Sequence, residues 1–168
     1  MKREFSAGGI IYKKTEKDDV FWLVTKSAPS EFYPKAYWRL PKGWIDDEGG
    51  GEKPGPVARG ERKVSEGELR SAALREVREE AGVEAKIVAK IGTEKYFLNK
   101  DGERILKFVT FYLMKWLNDM PEGPGFETPE VALLPFEKAR KKMKHTLEKT
   151  VFDKAKQILD SGIQEFLI

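Results

Sequence analysis

Residues 74–83 read LREVREEAGV, which sets Glu76, Glu79 and Glu80 on adjacent turns of the helix this segment would form. At about 100° per residue the three acids share one face, while Leu74, Val77 and Ala81, with Ala73 beside them, lie on another arc able to pack onto a sheet. Arg75 and Arg78 fall away from the acids, so the helix has an apolar, an acidic and a basic side. Gly82 follows as the residue best suited to a left-handed C-terminal cap, and the pattern predicts a helix over about 68–81. Like charges one turn apart cost only about 0.2–0.5 kcal/mol in water, so a solvated acidic face is one reading of the crowding. The other is a site for a hard divalent cation, which takes carboxylate and water oxygens and relieves the repulsion.

Outward from this helix, the periodicity changes. EFSAGGIIYKK and DVFWLVTKS read as two β-strands joined by the polar turn TEKDD, and KAYWRLPKGW as a short strand running into a glycine turn. Between Asp46 and Gly67, the Gly- and Pro-rich DDEGGGEKPGPVARGERKVSEG has neither helical nor strand period and is expected to be a loop. Downstream, AKIVAKIGTEKYFL and RILKFVTFYLMKWL flank NKDGE, whose Asp101-Gly102 is a strong hairpin signal. MPEGPGFETPE is a second loop and EVALLP a last short strand, followed by C-terminal helices with Val151, Ala155 and Ile158 at helical spacing. Strands with helices interspersed unevenly predict an α/β fold: one domain over 1–168, built as an α/β/α sandwich in which a mixed β-sheet carries helices on both faces.

Composition excludes several functions. The 168 residues hold no cysteine, which removes a disulfide framework, a thiolate metal site and a cysteine nucleophile together. A 40% hydrophobic and 35% charged chain is that of a folded soluble protein. No apolar run approaches the ~20 residues of a membrane span, and MKREFSAGGIIYKK lacks the long apolar region of a secretory signal, so a cytoplasmic protein is expected. The 31 Lys+Arg against 28 Asp+Glu, net +3, are too balanced to argue for nucleic-acid binding, although FEKARKKMKHTLEKT is locally basic.

AALREVREEAGV and RLPKGWID resemble the two signature segments of the Nudix hydrolases, one on a helix and the other on the loop before it. That resemblance implies an α/β/α sandwich and cleavage of a nucleoside diphosphate linked to another group, with Mg²⁺ or Mn²⁺ as cofactor. By position it makes Glu76 and Glu80 metal ligands and Glu79 a further ligand or the base that activates water. Arg75 would orient the carboxylates and Gly43 would offer its backbone carbonyl to the metal. The spacing departs from the family pattern: where the first-half glutamate is expected stand Gly49, counted from Gly43, and Gly67, counted back from Arg75. Glu68 comes one place late and Glu66 one place early, with Glu68 the first choice, and the 46–67 segment looks like an insertion. A disordered surface loop, a lid over the substrate and a contact in a homodimer are its three readings.

Glu127 and Glu130, before the last strand, are candidates for an accessory base, with Glu130 preferred. Arg39, Lys42 and Lys107 are candidate phosphate-binding cations, and Tyr96, Phe97 or Tyr112 could stack on a base, Tyr96 foremost. His145, the only histidine, is expected on a helix surface. Within the family the likeness is greatest to diadenosine polyphosphate hydrolases and their diphosphoinositol-cleaving relatives, which implies a small-molecule nucleotide substrate; the balanced charge argues against a nucleic-acid partner and the lack of an apolar span against a membrane. Nucleoside triphosphate, ADP-ribose and RNA 5′-end cleavage, and a nucleotide-binding module without turnover, are the alternatives.

Overall fold

β1 (Lys2–Lys14) sends alternate side chains into two different cores: Ala7 and Ile11 to one face of the sheet, Ile10 and Tyr12 to the other. This is the two-sided burial that an apolar run such as AGGIIY needs, and it places the strand in the middle of a sheet. The computed structural model describes residues 1–31, 33–125 and 128–162. A turn at Thr15–Asp19, with Asp18 at φ 63°, leads to β2 (Val20–Lys26). β3 (Trp38–Arg39) and β4 (Lys42–Trp44) follow, then β5 (Asp47–Glu48) and β6 (Lys53–Pro54), which pair only with each other. The helix α1 (Glu66–Glu76) passes into a π-helical turn, Val77–Ala81. β7 (Val83–Lys100) and β8 (Glu103–Asp119) form a long hairpin whose turn residues Asp101 and Gly102 both have positive φ, 51° and 77°, the conformation that Asp-Gly favours. β9 (Glu130–Leu134), α2 (Phe136–Lys142) and α3 (Thr146–Ser161) complete the described chain.

The main sheet has seven strands in the order β3-β2-β1-β8-β7, with β4 added to β1 and β9 to β2. β1 and β8 run parallel, and the other pairings are antiparallel, so the sheet is mixed as expected. α1 and the π turn after it cover one face through Ala72, Ala73, Val77 and Ala81; α2 and α3 cover the other through Ala139, Val151, Phe152, Ala155 and Leu159. This is the α/β/α sandwich. No helix among the described residues is long and apolar enough to cross a membrane.

Two features position the site. β1 changes partner along its length, pairing Tyr12–Lys14 with β2 but Ser6–Gly8 with β4, and the chain between β3 and β4 turns where those neighbours part. The 46–67 segment is not a plain loop. It folds into the β5–β6 hairpin, and beyond it the Asp46 carboxylate accepts the N–H groups of Val57 and Ala58 at 3.1 and 2.7 Å. Val57 and Ala58 are buried, and the Phe5 N–H donates to the Ala58 carbonyl at 2.8 Å. The segment therefore carries its own share of core.

Candidate active site

The acidic helix begins two residues earlier than the periodicity predicts, because Ser65 caps it. The Ser65 hydroxyl accepts the Glu68 N–H, and the Glu68 carboxylate accepts the Ser65 N–H. Arg62 adds a two-pronged pair to Glu68 at 2.6 and 3.0 Å, and that hydrogen bonding holds the Glu68 carboxyl down at about 2. Glu68 is therefore committed to the helix start. Glu66 accepts hydrogen bonds from Lys90 and from the Tyr112 hydroxyl, each at 2.8 Å. The first-half glutamate expected at one of these places is not brought to the acidic cleft by either.

At its other end the helix widens. Val77–Ala81 form a π turn, closed by Gly82 in the left-handed conformation at φ 68°. The turn presents its acids unequally: Glu80 is buried at 7% exposure, whereas the Glu79 side chain is 60% exposed. The Glu79 carbonyl accepts the Gly125 N–H at 2.7 Å, and the Gly82 carbonyl accepts the Met120 N–H at 2.8 Å, which ties the loop after β8 to the turn.

Glu76, Glu79 and Glu80 open onto a cleft of about 710 Å³ that Arg39, Lys42 and Lys107 also line. Arg75 does not fall away from the acids. Its guanidinium donates to the carbonyls of Trp44 and Ile45 at 2.7 and 3.0 Å and to the Glu76 carboxylate at 3.1 Å, and it lies 3.8 Å from Glu79. It thereby staples the turn after β4 to the helix and orients Glu76. Gly43 lies against that carboxylate so closely that a Cβ would collide with it. Glu80 accepts from Arg39 Nη2 at 3.1 Å and from the Lys42 N–H at 3.0 Å.

Burial governs the electrostatics. It pushes the Glu80 carboxyl up to about 7 against the pull of Arg39 and Lys42, and it raises Glu76 against the pull of Arg75. Burial and the neighbouring Lys42 bring the Lys107 ammonium down to about 8, although Glu4 lies 3.8 Å away. Lys42, despite its burial, is held above its usual value by the Glu148 carboxylate 3.6 Å away.

Other expected residues lie elsewhere. Glu130 is exposed on β9, 4.0 Å from Lys26, and does not line the cleft; Glu127 lies outside the described residues. Tyr96 is half-buried against the α2–α3 core rather than in the cleft wall. His145 is not a plain helix-surface residue: it sits at the N-cap of α3, edge-on to Tyr33 and Tyr37 at ring distances of 5.6 and 5.2 Å. Two residues went unread in the sequence. Asp47 lines the cleft beside the acids, and its place directly after RLPKGWID was the available signal. Glu148 on α3, buried, accepts the Leu40 N–H at 3.1 Å, a contact across 108 positions with no local signature.

Among the described residues no three carboxylate or imidazole groups stand close enough to cage an ion by themselves. The donor set still fits Mg²⁺, which is bound through one or two carboxylates with water and substrate oxygens completing the shell. Glu76 and Glu80 share the cleft with Gly43, whose lack of a side chain leaves room at the Glu76 carboxylate.

Comparison with known proteins accords with this geometry. The chain is 26% identical over 157 residues to the Mycobacterium tuberculosis (strain CDC 1551 / Oshkosh) protein named as mutator protein MutT4, covering 94% of this chain and 56% of that one. It thus spans about half the length of the curated relative it matches. Among solved structures, it resembles the Caenorhabditis elegans (C. elegans) Ap4A hydrolase binary complex, with a TM-score of 0.64 and 21% identity over 94% of this chain and 98% of that one. A NUDIX hydrolase from Nitrosomonas europaea matches at a TM-score of 0.64 and 15% identity, over 99% and 94% of the two chains. The NUDIX domain profile matches residues 2–154, nearly the whole chain, and so the protein belongs to the NUDIX family.

Proposed function

We propose that this protein is a divalent-metal-dependent pyrophosphohydrolase, cleaving a phosphoric anhydride in a nucleoside diphosphate linked to a second group, and that its substrate is a dinucleoside polyphosphate such as diadenosine tetraphosphate. The observation that carries the reading is the meeting of both charges in one cleft: Glu76, Glu79 and Glu80 share it with Arg39, Lys42 and Lys107, and Arg39 reaches Glu80 at 3.1 Å. Glu76, Glu80 and Gly43 would hold Mg²⁺ or Mn²⁺, which when bound neutralises phosphate charge and makes water a better nucleophile. Lys42 and Lys107 draw the polyphosphate into line. Glu79, the most exposed of the three acids, accepts a proton from the attacking water. Water oxygen bonds to phosphorus, the anhydride P–O bond breaks, and the leaving phosphate departs with the electron pair. Arg75 acts through Glu76, by orienting it.

The likeness in fold to the Ap4A hydrolase supports the substrate choice. A screen with Mg²⁺ against dinucleoside polyphosphates, ADP-ribose, nucleoside triphosphates and triphosphorylated RNA, with products identified, tests it. Preferred turnover of the dinucleoside polyphosphate is expected. Tight nucleotide binding with no turnover of any of them would instead mark a binding module.

A further inference from the structure

A second groove, of about 580 Å³, meets the cleft at Trp44, which lines both. The shared wall is continuous. The Trp44 indole N–H donates to the Glu4 carboxylate at 2.8 Å, and the same carboxylate oxygen lies 3.8 Å from the Lys107 ammonium in the cleft. The opposite wall comes from the 46–67 segment through Lys53, Pro54 and Arg59. That wall is fixed: the Gly55 N–H donates to the Asp46 carbonyl at 3.0 Å, and the Asp46 carboxylate holds the two N–H groups beyond it.

The groove's charges are not all spent on one another. Lys2 is paired with Glu103 at 2.8 Å, and Arg59 with Glu48 and Glu61 at 3.1 and 2.8 Å. Arg3, Lys53 and Lys100 line the groove with no ion-pair partner among the described residues. Beside them lie the apolar surfaces of Trp44, Pro54 and Ile105 and the carboxylates of Glu52 and Asp101. Free cations suit a phosphate, carboxylates accept from sugar hydroxyls, and an indole with aliphatic neighbours suits the face of a base. Inorganic polyphosphate alone would leave the acids and the apolar surface unmatched.

We propose that this groove receives the distal nucleoside 5′-phosphate of a dinucleoside polyphosphate, with the 46–67 segment as its specificity wall. The assignment rests on the pyrophosphohydrolase reading of the adjoining cleft. It explains why the segment is folded and docked: a substrate whose anhydride lies between the acids and Lys107 extends past Trp44 into it. A mononucleotide ends in the cleft.

The test is calorimetric binding with Mg²⁺ in a Glu79→Gln background, where turnover does not interfere, using diadenosine tetraphosphate and ADP as probes. Adding Lys53→Glu and Lys100→Glu is expected to weaken the dinucleotide at least tenfold and ADP less than twofold. Both lysines are exposed, so the melting temperature is expected to hold. Lys14→Glu with Lys17→Glu, the same charge change at the β1–β2 turn, is expected to leave both affinities in place. Equal weakening of the two probes, or of neither, overturns the groove assignment alone. Failure of either probe to bind before the groove is altered overturns the nucleotide reading of the cleft as well.

Discussion

Glu80 is the residue on which the chemistry and the physics of the site meet. Burial pushes its carboxyl up to about 7, which favours the neutral form, and a glutamine keeps a neutral group of the same shape in place. Glu80→Gln is therefore expected to melt within a few degrees of the parent protein while turnover falls about a hundredfold or more, because a metal ligand is lost. Full activity in that variant would remove the metal assignment. The sign of its pH dependence follows from the direction of the shift. Between about 4.5, the ordinary carboxyl value, and 7, the folded protein keeps a proton that the unfolded chain has released. The stability this contributes is complete below the lower value and is lost as pH rises through 7. A cation competes with the same proton, so Mn²⁺ affinity in a spin-resonance titration is expected to fall by up to about tenfold per pH unit below 7. An affinity flat from pH 5 to 8 would contradict the raised carboxyl. The grouping of Glu76, Glu79 and Glu80 was legible in LREVREEAGV, but which of them is buried was not. That depends on Arg39 and the Lys42 N–H, which reach Glu80 from strands about 40 positions earlier.

At the scale of elements, the C-terminal end of the acidic helix carries a requirement that helical periodicity cannot express. Gly82 combines φ 68° with a packing limit, since a Cβ there would run into the backbone of Gly123 and Pro124. Gly82→Ala is expected to destabilise the protein by about 2–4 kcal/mol in chemical denaturation, more than the about 1 kcal/mol of the conformation alone. It should also disturb the cleft, because Gly125 of the same loop is bonded to the Glu79 carbonyl. A cost below 1 kcal/mol would show that the loop after β8 is not held there. The helix, its glycine cap and the Asp101-Gly102 hairpin could all be read ahead of the structure, each being set by residues within one or two turns of one another. The π turn could not, because a widened turn is selected by what packs against it.

For the whole molecule, the decisive element is the 46–67 segment. As a bare loop it could be cut away without cost. Instead Val57 and Ala58 are buried, with Asp46 and Phe5 bonded to their backbone. Deleting residues 49–62 is expected to lower the melting temperature by 5 °C or more, since about 1–3 kcal/mol attaches to each buried polar group left without its partner. Asp46→Ala is the milder version and is expected to cost about 1–3 kcal/mol, read by urea denaturation. A deletion variant as stable as the parent would return the segment to a surface loop.

The sequence by itself determined the sandwich, the sheet's hairpin, the acidic helix and the family, because alternation, capping and hairpin turns are local and the two signature segments are contiguous. Only the tertiary structure decided that Glu130 stands outside the cleft, that Asp47 stands inside it, and that Glu148 supports β3 and β4 from the far helix. Those outcomes depend on which charges meet when distant segments are brought out of water, and a carboxylate takes the nearest guanidinium or amide whatever the spacing in the chain.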